Sequence, residues 1–167
     1  MTPTPTSEKP ADGAVAVGSP APAFDLPASF GRRVSSASLH GRPWVLYFYP
    51  KADTSGCTKE ACEFQGSLAA LGAASVPVVG ISRDPMNAIE AFARKFGLEF
   101  PLATDEAGET LDAYGVWVEK SMYGRKYMGI ERTTLLVDAQ GRVTRIWNKV
   151  KVPGHAAEVI KAAGSLA

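Results

Sequence analysis

Cysteine and histidine are scarce, with two of each in 167 residues. Two cysteines cannot form the disulfide framework of a small secreted domain. Cys57 and Cys62, with the isolated His40 and His155, do not give the compact ligand spacing of a zinc site, so no metal is expected. Neither histidine has a partner at pairing distance in the sequence, and both read as surface residues. Charge of one sign is also lacking: 18 Lys and Arg against 17 Asp and Glu leave a net charge of +1. That balance gives no reason to invoke nucleic acid or an anionic membrane as a partner. No apolar run approaches the roughly 18 residues of a membrane span. The opening Met1-Thr2-Pro3-Thr4-Pro5-Thr6 has neither the basic nor the apolar region of a secretory signal. A Gly-rich phosphate loop is absent as well. The expectation is a cytoplasmic protein without cofactor that uses its thiols chemically.

The chain is long enough for one domain with a sizeable core. Residues 1–14, rich in Pro, Thr, Ala and charge, read as a disordered extension, and residues 15–167 as a single domain. A short N-terminal hairpin is expected with its turn near Phe30-Gly31-Arg32-Arg33. Trp44 to Tyr49 is a continuous apolar run, as in a strand covered on both faces. Val76 to Ser82 reads as a second buried strand. Asp84-Pro85 reads as a helix start, with Asp84 as N-cap and Pro85 at the first helical position. Ile89, Phe92, Ala93 and Phe96 then fall on one helical face, and Gly97 can cap the end. Phe100-Pro101-Leu102 is a short edge piece, and Glu109 to Tyr114 a short helix. Thr133 to Asp138 and Arg142 to Trp147 flank Ala139-Gln140-Gly141 as a hairpin. A final helix runs from Gly154 to about Ala163. Strands separated by helices, followed by a hairpin, predict an α/β chain: a three-layer α/β/α fold with a central mixed sheet.

The organising stretch runs from Trp44 to Cys62. Pro50 cannot donate to a sheet ladder, so the strand stops there. Asp53, Thr54, Ser55 and Gly56 are turn or cap types. Cys57 therefore falls in the first turn of a helix at the end of a central strand. Helix starts have unpaired N–H groups and a partial positive charge, which stabilise a thiolate. Lowering a thiol pKa by about two units from about 8.5 makes thiolate the majority species at neutral pH, a difference of about 2.7 kcal/mol. The competing reading is that Cys57 is an inert buried hydrophobe.

Pro50, Thr54 and Cys57 match the Pro-x-x-x-Thr/Ser-x-x-Cys motif and resemble the active site of the peroxiredoxins. Phe48-Tyr49-Pro50-Lys51, Gly56-Cys57-Thr58 with Cys62, Ser121-Met122-Tyr123-Gly124 and Tyr127 to Thr134 are similar to the peroxiredoxin Q branch, also called bacterioferritin comigratory protein. The resemblance covers about Val17 to Val159. It implies a thioredoxin-like fold and a thiol-dependent peroxidase that reduces hydrogen peroxide and organic hydroperoxides. Cys57 would be the nucleophile, passing through a sulfenic acid. Thr54 would bond the peroxide, with a plain N-cap as the competing reading. Pro50 would shield the sulfur, or merely end the strand. Arg132 would fold against Cys57, where an isolated Arg would otherwise face solvent. Glu60 and Glu131 are candidate partners for it. Tyr123, Tyr127, Met122 and Met128 border the pocket, face a partner or simply pack.

Cys62 would be the resolving cysteine, or else a core residue. On an ideal helix, residues five apart have Cα atoms about 8.6 Å apart, whereas a disulfide needs about 4.4–6.8 Å. Forming one between Cys57 and Cys62 thus requires the helix start to unwind. By resemblance the disulfide is recycled by thioredoxin or a similar dithiol, and the protein is a monomer, with a dimer the alternative. A redox sensor or thiol-based chaperone using the same cysteines is the competing function. A disulfide reductase is disfavoured by the absence of C-x-x-C.

Overall fold

A computed structural model describes residues 15–70 and 76–166. The disordered extension expected for residues 1–14 lies outside the described residues. In chain order the elements are β1 Asp25–Pro27, β2 Arg33–Ser35, α1 Ser36–Leu39, β3 Trp44–Phe48, α2 Ser55–Ala70, β4 Val78–Ser82, α3 Met86–Phe96, β5 Leu102–Thr104, α4 Glu109–Ala113, β6 Trp117–Met122, β7 Arg125–Ile130, β8 Thr133–Val137, β9 Val143–Trp147 and α5 His155–Gly164. Five strands form the central sheet in the order β5-β4-β3-β8-β9. β3, β4 and β5 run parallel, whereas β8 lies antiparallel to β3 and β9 to β8. The sheet is therefore mixed, and the α/β class and thioredoxin-like plan expected from the sequence are those of the structure.

All five residues of β3 are buried, and alternate ones serve opposite faces. Val45 and Tyr47 pack with Phe64 of α2, Phe92 of α3, and Val159 and Ile160 of α5. Trp44, Leu46 and Phe48 pack with Phe24, Val34, Leu111 and Tyr114. One layer is thus made of the three longer helices. The other is made of α4, Leu39 of α1 and the N-terminal hairpin, whose chain reverses through a 3-10 turn at Ser29–Gly31.

Two readings need correction. Pro85, not Asp84, occupies the N-cap position of α3, with extended φ −67° and ψ 155°. The Asp84 carboxylate instead accepts from the Ala52 N–H and the Ser82 hydroxyl, both at 2.8 Å. A loop N–H with no partner of its own competed successfully for that carboxylate. His155 is buried, not exposed. Its Nε2 lies 2.8 Å from the Thr134 hydroxyl, and its ring stands edge-on to Phe64 and Trp147. His40 is exposed, as expected. A further element escaped the pattern: β6 and β7 form an antiparallel hairpin turned at Tyr123 and Gly124, both with positive φ.

Gly80, on β4, shows how tightly the sheet is filled. A β-carbon there would stand 2.8 Å from Leu102 Cδ2 and 2.9 Å from the Tyr47 ring. That ring is itself stacked on Phe64 at 4.7 Å and cannot retreat. Gly80→Ala should therefore destabilise the fold by about 1–3 kcal/mol through overpacking. Denaturant unfolding checks this, and an unchanged midpoint would show that Leu102 and Tyr47 have room to move.

Candidate active site

The site begins where β3 ends. Pro50 breaks the ladder, and the next four residues cross to α2 in a loop tied down at three points. The Ala52 N–H donates to Asp84. Asp53, at φ 61°, forms an ion pair with Lys95 at 3.2 Å. The Thr54 hydroxyl donates to the Lys51 carbonyl at 2.8 Å. Asp tolerates the left-handed region better than most residues, which suits it to this turn. The Thr54 carbonyl accepts the N–H of Thr58, the first i to i+4 bond of α2. Thr54 is thus the N-cap residue, and its hydroxyl sits at the helix mouth.

Cys57 is the third residue of α2, so its N–H and that of Gly56 belong to the first turn, where helix N–H groups lack intrahelical acceptors. The thiol is only 2 % exposed. Arg132, 75 residues further along, donates from Nη2 to Cys57 Sγ at 3.3 Å. Its Nη1 donates to Glu60 Oε1 at 2.5 Å, and the Glu60 side chain is 1 % exposed. Burial alone would lower the guanidinium pKa, but Glu60 and Cys57 outweigh it and leave the group raised. Arg132 therefore stays charged.

Sheet register explains the meeting. Phe48 pairs with Thr133, so Arg132 lies just beyond the strand end, opposite the Pro50 loop. Its carbonyl accepts the Val150 N–H at 3.1 Å, which fixes the backbone beneath the side chain. Gly56 leaves the clearance the guanidinium needs, since a β-carbon there would stand 3.2 Å from Nη2.

Glu60 was named in the sequence only as one of two candidate partners for Arg132, and it is the one that pairs. Burial raises its carboxyl to about 7, against the pull of Arg132. Its second oxygen has no hydrogen-bond partner among the described residues, nor do the buried hydroxyls of Tyr47 and Tyr49. Burial, followed by the neighbouring Glu60, raises the Tyr47 phenol well above its ordinary value, so it stays protonated. Tyr47 was read only as part of a strand, and no spacing in the sequence tied it to Cys57.

Cys62 lies on the same helix but is exposed, and neither cysteine is in a disulfide. The structure thus brings Cys57 and Arg132 into contact, with Pro50 and Thr54 on the adjoining loop, while Cys62 stands apart on intact helix. Tyr123, Tyr127, Met122 and Met128 are all exposed on the β6–β7 hairpin. Among the described residues no group of three or more His, Cys, Asp and Glu could hold a metal ion. No helix among them is long and apolar enough to cross a membrane.

Comparison with known proteins places this arrangement. The model of the AhpC/TSA family matches residues 17–146. A Coxiella burnetii chain carrying the peroxiredoxin bcp name is 47 % identical over 146 residues, covering 87 % of this chain and 97 % of the relative. Peroxiredoxin Bcp of Bacillus subtilis is 38 % identical over 147 residues, covering 88 % and 94 %. Among solved structures, a cysteine-to-serine variant of Xanthomonas campestris peroxiredoxin Q superposes with TM-score 0.80 at 38 % identity, covering 86 % of this chain and 92 % of the other. With a family match across most of its length, and a buried cysteine under an arginine where a sheet strand hands over to a helix, this chain belongs to the AhpC/TSA family, alongside relatives named peroxiredoxin Bcp and peroxiredoxin Q.

Proposed function

We propose that this protein is a thiol peroxidase in which Cys57 attacks the peroxide and Arg132 stabilises both the attacking sulfur and the departing oxygen. The observation that carries the reading is the contact of Arg132 Nη2 with Cys57 Sγ at 3.3 Å in the first turn of α2. A guanidinium and a helix start both favour the anionic sulfur. A solved relative described for its alkyl peroxide reduction activity, the Xanthomonas campestris bacterioferritin comigratory protein, superposes with TM-score 0.79 at 37 % identity.

The chemistry runs in three balanced steps. The Cys57 thiolate displaces at one oxygen of R–O–O–H. The S–O bond forms, the O–O bond breaks, and the leaving oxygen takes a proton to give an alcohol, or water from hydrogen peroxide. The sulfur is then a sulfenic acid. The Cys62 thiol attacks it, forming the S–S bond and releasing water. Finally a dithiol reductant, thioredoxin or one like it, gives two electrons and two protons, restoring both thiols and becoming a disulfide itself. Thr54, at the mouth of α2, would orient the peroxide, and Pro50 would cover the sulfur from bulk water. The second step requires the start of α2 to loosen, because Cys62 lies outside bonding range of Cys57 while α2 is intact.

Turnover with hydrogen peroxide and a thioredoxin system tests the assignment. Cys57→Ser should abolish it. Cys62→Ser should consume about one peroxide per chain and then stall unless a small thiol is added. Wild-type protein that reacts once and never cycles with any dithiol would replace the enzyme reading with that of a sensor.

Glu60 supplies a separate, pH-dependent expectation. Its carboxyl is raised from 4.5 to about 7 by burial. A raised acid favours the fold when protonated. That contribution is full below the unfolded value and is lost as pH rises through about 7. Wild type should therefore lose stability through this group between pH 5 and 8, and Glu60→Gln should not. The variant should gain on wild type by about 2 to 3 kcal/mol across that window. Denaturant unfolding at both pH values measures the difference, and parallel behaviour of the two proteins would show that Glu60 does not titrate there.

A further inference from the structure

The β6–β7 hairpin is rooted at the site. Ile130 ends β7, and Arg132 follows two residues later. The Glu131 N–H closes the base of the hairpin on the Val116 carbonyl at 2.8 Å. An open cavity is lined on one side by the hairpin and on another by Pro50 and Lys51, in the loop that leads to Cys57. Lys120, on β6, feels the reacting pair. Burial and then the Arg132 guanidinium lower its ammonium pKa, with Glu131 and Cys57 acting in the opposite sense. Beyond its base the hairpin is a two-stranded sheet of its own, and every residue from Ser121 to Met128 is exposed.

The exposed stretch is both apolar and cationic. Register puts Lys120 opposite Tyr127 and Met122 opposite Arg125, so these four share a face. Tyr127 is 44 % exposed, Met122 54 % and Tyr123, at the tip, 96 %. Tyr123 and Gly124 make a two-residue turn in which both have positive φ, 53° and 78°. Asn-Gly suits such a turn, whereas a tyrosine there is strained, and at this exposure its ring gains no packing in return. Between Trp117 and Ile130 the cations Lys120, Arg125 and Lys126 stand against a single acid, Glu119. None of the four has an ion-pair partner among the described residues. The near balance of charge over the whole chain hides this local excess.

We propose that this hairpin face is the docking surface for the protein that re-reduces the thiols, a dithiol protein whose reactive thiol lies in an apolar patch with an acidic rim. The inference rests on the peroxidase reading, which requires a dithiol to reach Cys57 and Cys62 in every cycle. Met122, Tyr123 and Tyr127 meet the apolar patch, while the cations meet the rim and steer the encounter. The docked thiolate attacks the Cys57–Cys62 disulfide, forms an S–S bond between the two proteins and expels one cysteine as thiolate. The partner's second thiol then displaces the first, so that two electrons and two protons pass to the pair and the partner leaves as a disulfide. An anionic lipid surface would match the same cations and ring, but it would give no account of their place beside the sulfur.

The test measures turnover with a thioredoxin of net negative charge and, in parallel, with dithiothreitol, for wild type, the Arg125→Glu/Lys126→Glu double variant and Tyr123→Asn. With thioredoxin as reductant, kcat/KM should fall roughly tenfold or more in the charge reversal and roughly five- to tenfold in Tyr123→Asn. With dithiothreitol both variants should match wild type. Added salt should slow wild type with thioredoxin and leave the charge reversal little changed. Asn suits the turn better than Tyr, so a loss in that variant cannot come from a broken hairpin. Equal rates of wild type and both variants with thioredoxin, equal losses with both reductants, or wild-type turnover with dithiothreitol alone overturns the proposal.

Amide resonances separate this inference from the peroxidase reading. Adding reduced thioredoxin to isotope-labelled wild type should shift the resonances of residues 120–127 and leave those of the charge-reversed variant unmoved. Shifts without any peroxide consumption would sink the peroxidase reading and leave the docking surface. Peroxide consumption without hairpin shifts would do the reverse. Hairpin shifts produced by phosphatidylglycerol vesicles and not by thioredoxin would assign the face to a membrane and overturn the proposal.

Discussion

One cation serves two buried acids. The Arg132 guanidinium reaches Cys57 with one nitrogen and Glu60 with another, and both partners sit on α2 one helical turn apart. Residues three apart on a helix lie on the same face, so a single side chain can touch both. Leaving either acid charged and unpaired in so closed a site would cost several kcal/mol. The carboxyl of Glu60 already titrates near neutrality because of its burial. Arg132 thus holds the sulfur and Glu60 at once, one nitrogen to each.

The rest of the fold keeps that arrangement in register. β8 lies antiparallel to β3, which delivers Arg132 to the edge of the Pro50 loop. Asp84 and Lys95, from the β4–α3 junction and α3, fasten the loop from the other side. Below the site, Tyr47 is stacked on Phe64 and pinned against Gly80. Cores packed at this density resist the sub-ångström drift that would loosen a 3.3 Å contact. Stability and chemistry therefore draw on the same aromatic cluster.

Much of this could be read from the residues. The strand, loop and helix from Trp44 to Cys62 followed from a continuous apolar run, a proline and a cluster of cap types, all local signals. The meeting of Arg132 with Cys57 did not follow from any spacing, because the two are 75 residues apart. It was legible only through the resemblance of the surrounding motif. Asp84 was misread because an Asp-Pro pair looks like a helix start, while the N–H that claimed the carboxylate belongs to a distant loop. A lone histidine carries no pattern, so the burial of His155 against Thr134 was invisible. The β6–β7 hairpin was missed because its strands are largely exposed and lack apolar alternation, and its turn is Tyr123-Gly124 rather than a stronger turn pair.

The split character of α2 has a mechanical consequence. Its first turns carry the sulfur, while Ala61 and Phe64 are fully buried, Phe64 beneath the Tyr47 ring. Were α2 to loosen so that the outer cysteine could swing inward, the peeling would meet Phe64, anchored beneath the Tyr47 ring, before it reached the far end of the helix. Glu60 lies upstream of that anchor, so such an excursion would also release the guanidinium from its carboxylate, and the resting arrangement would have to be rebuilt afterwards.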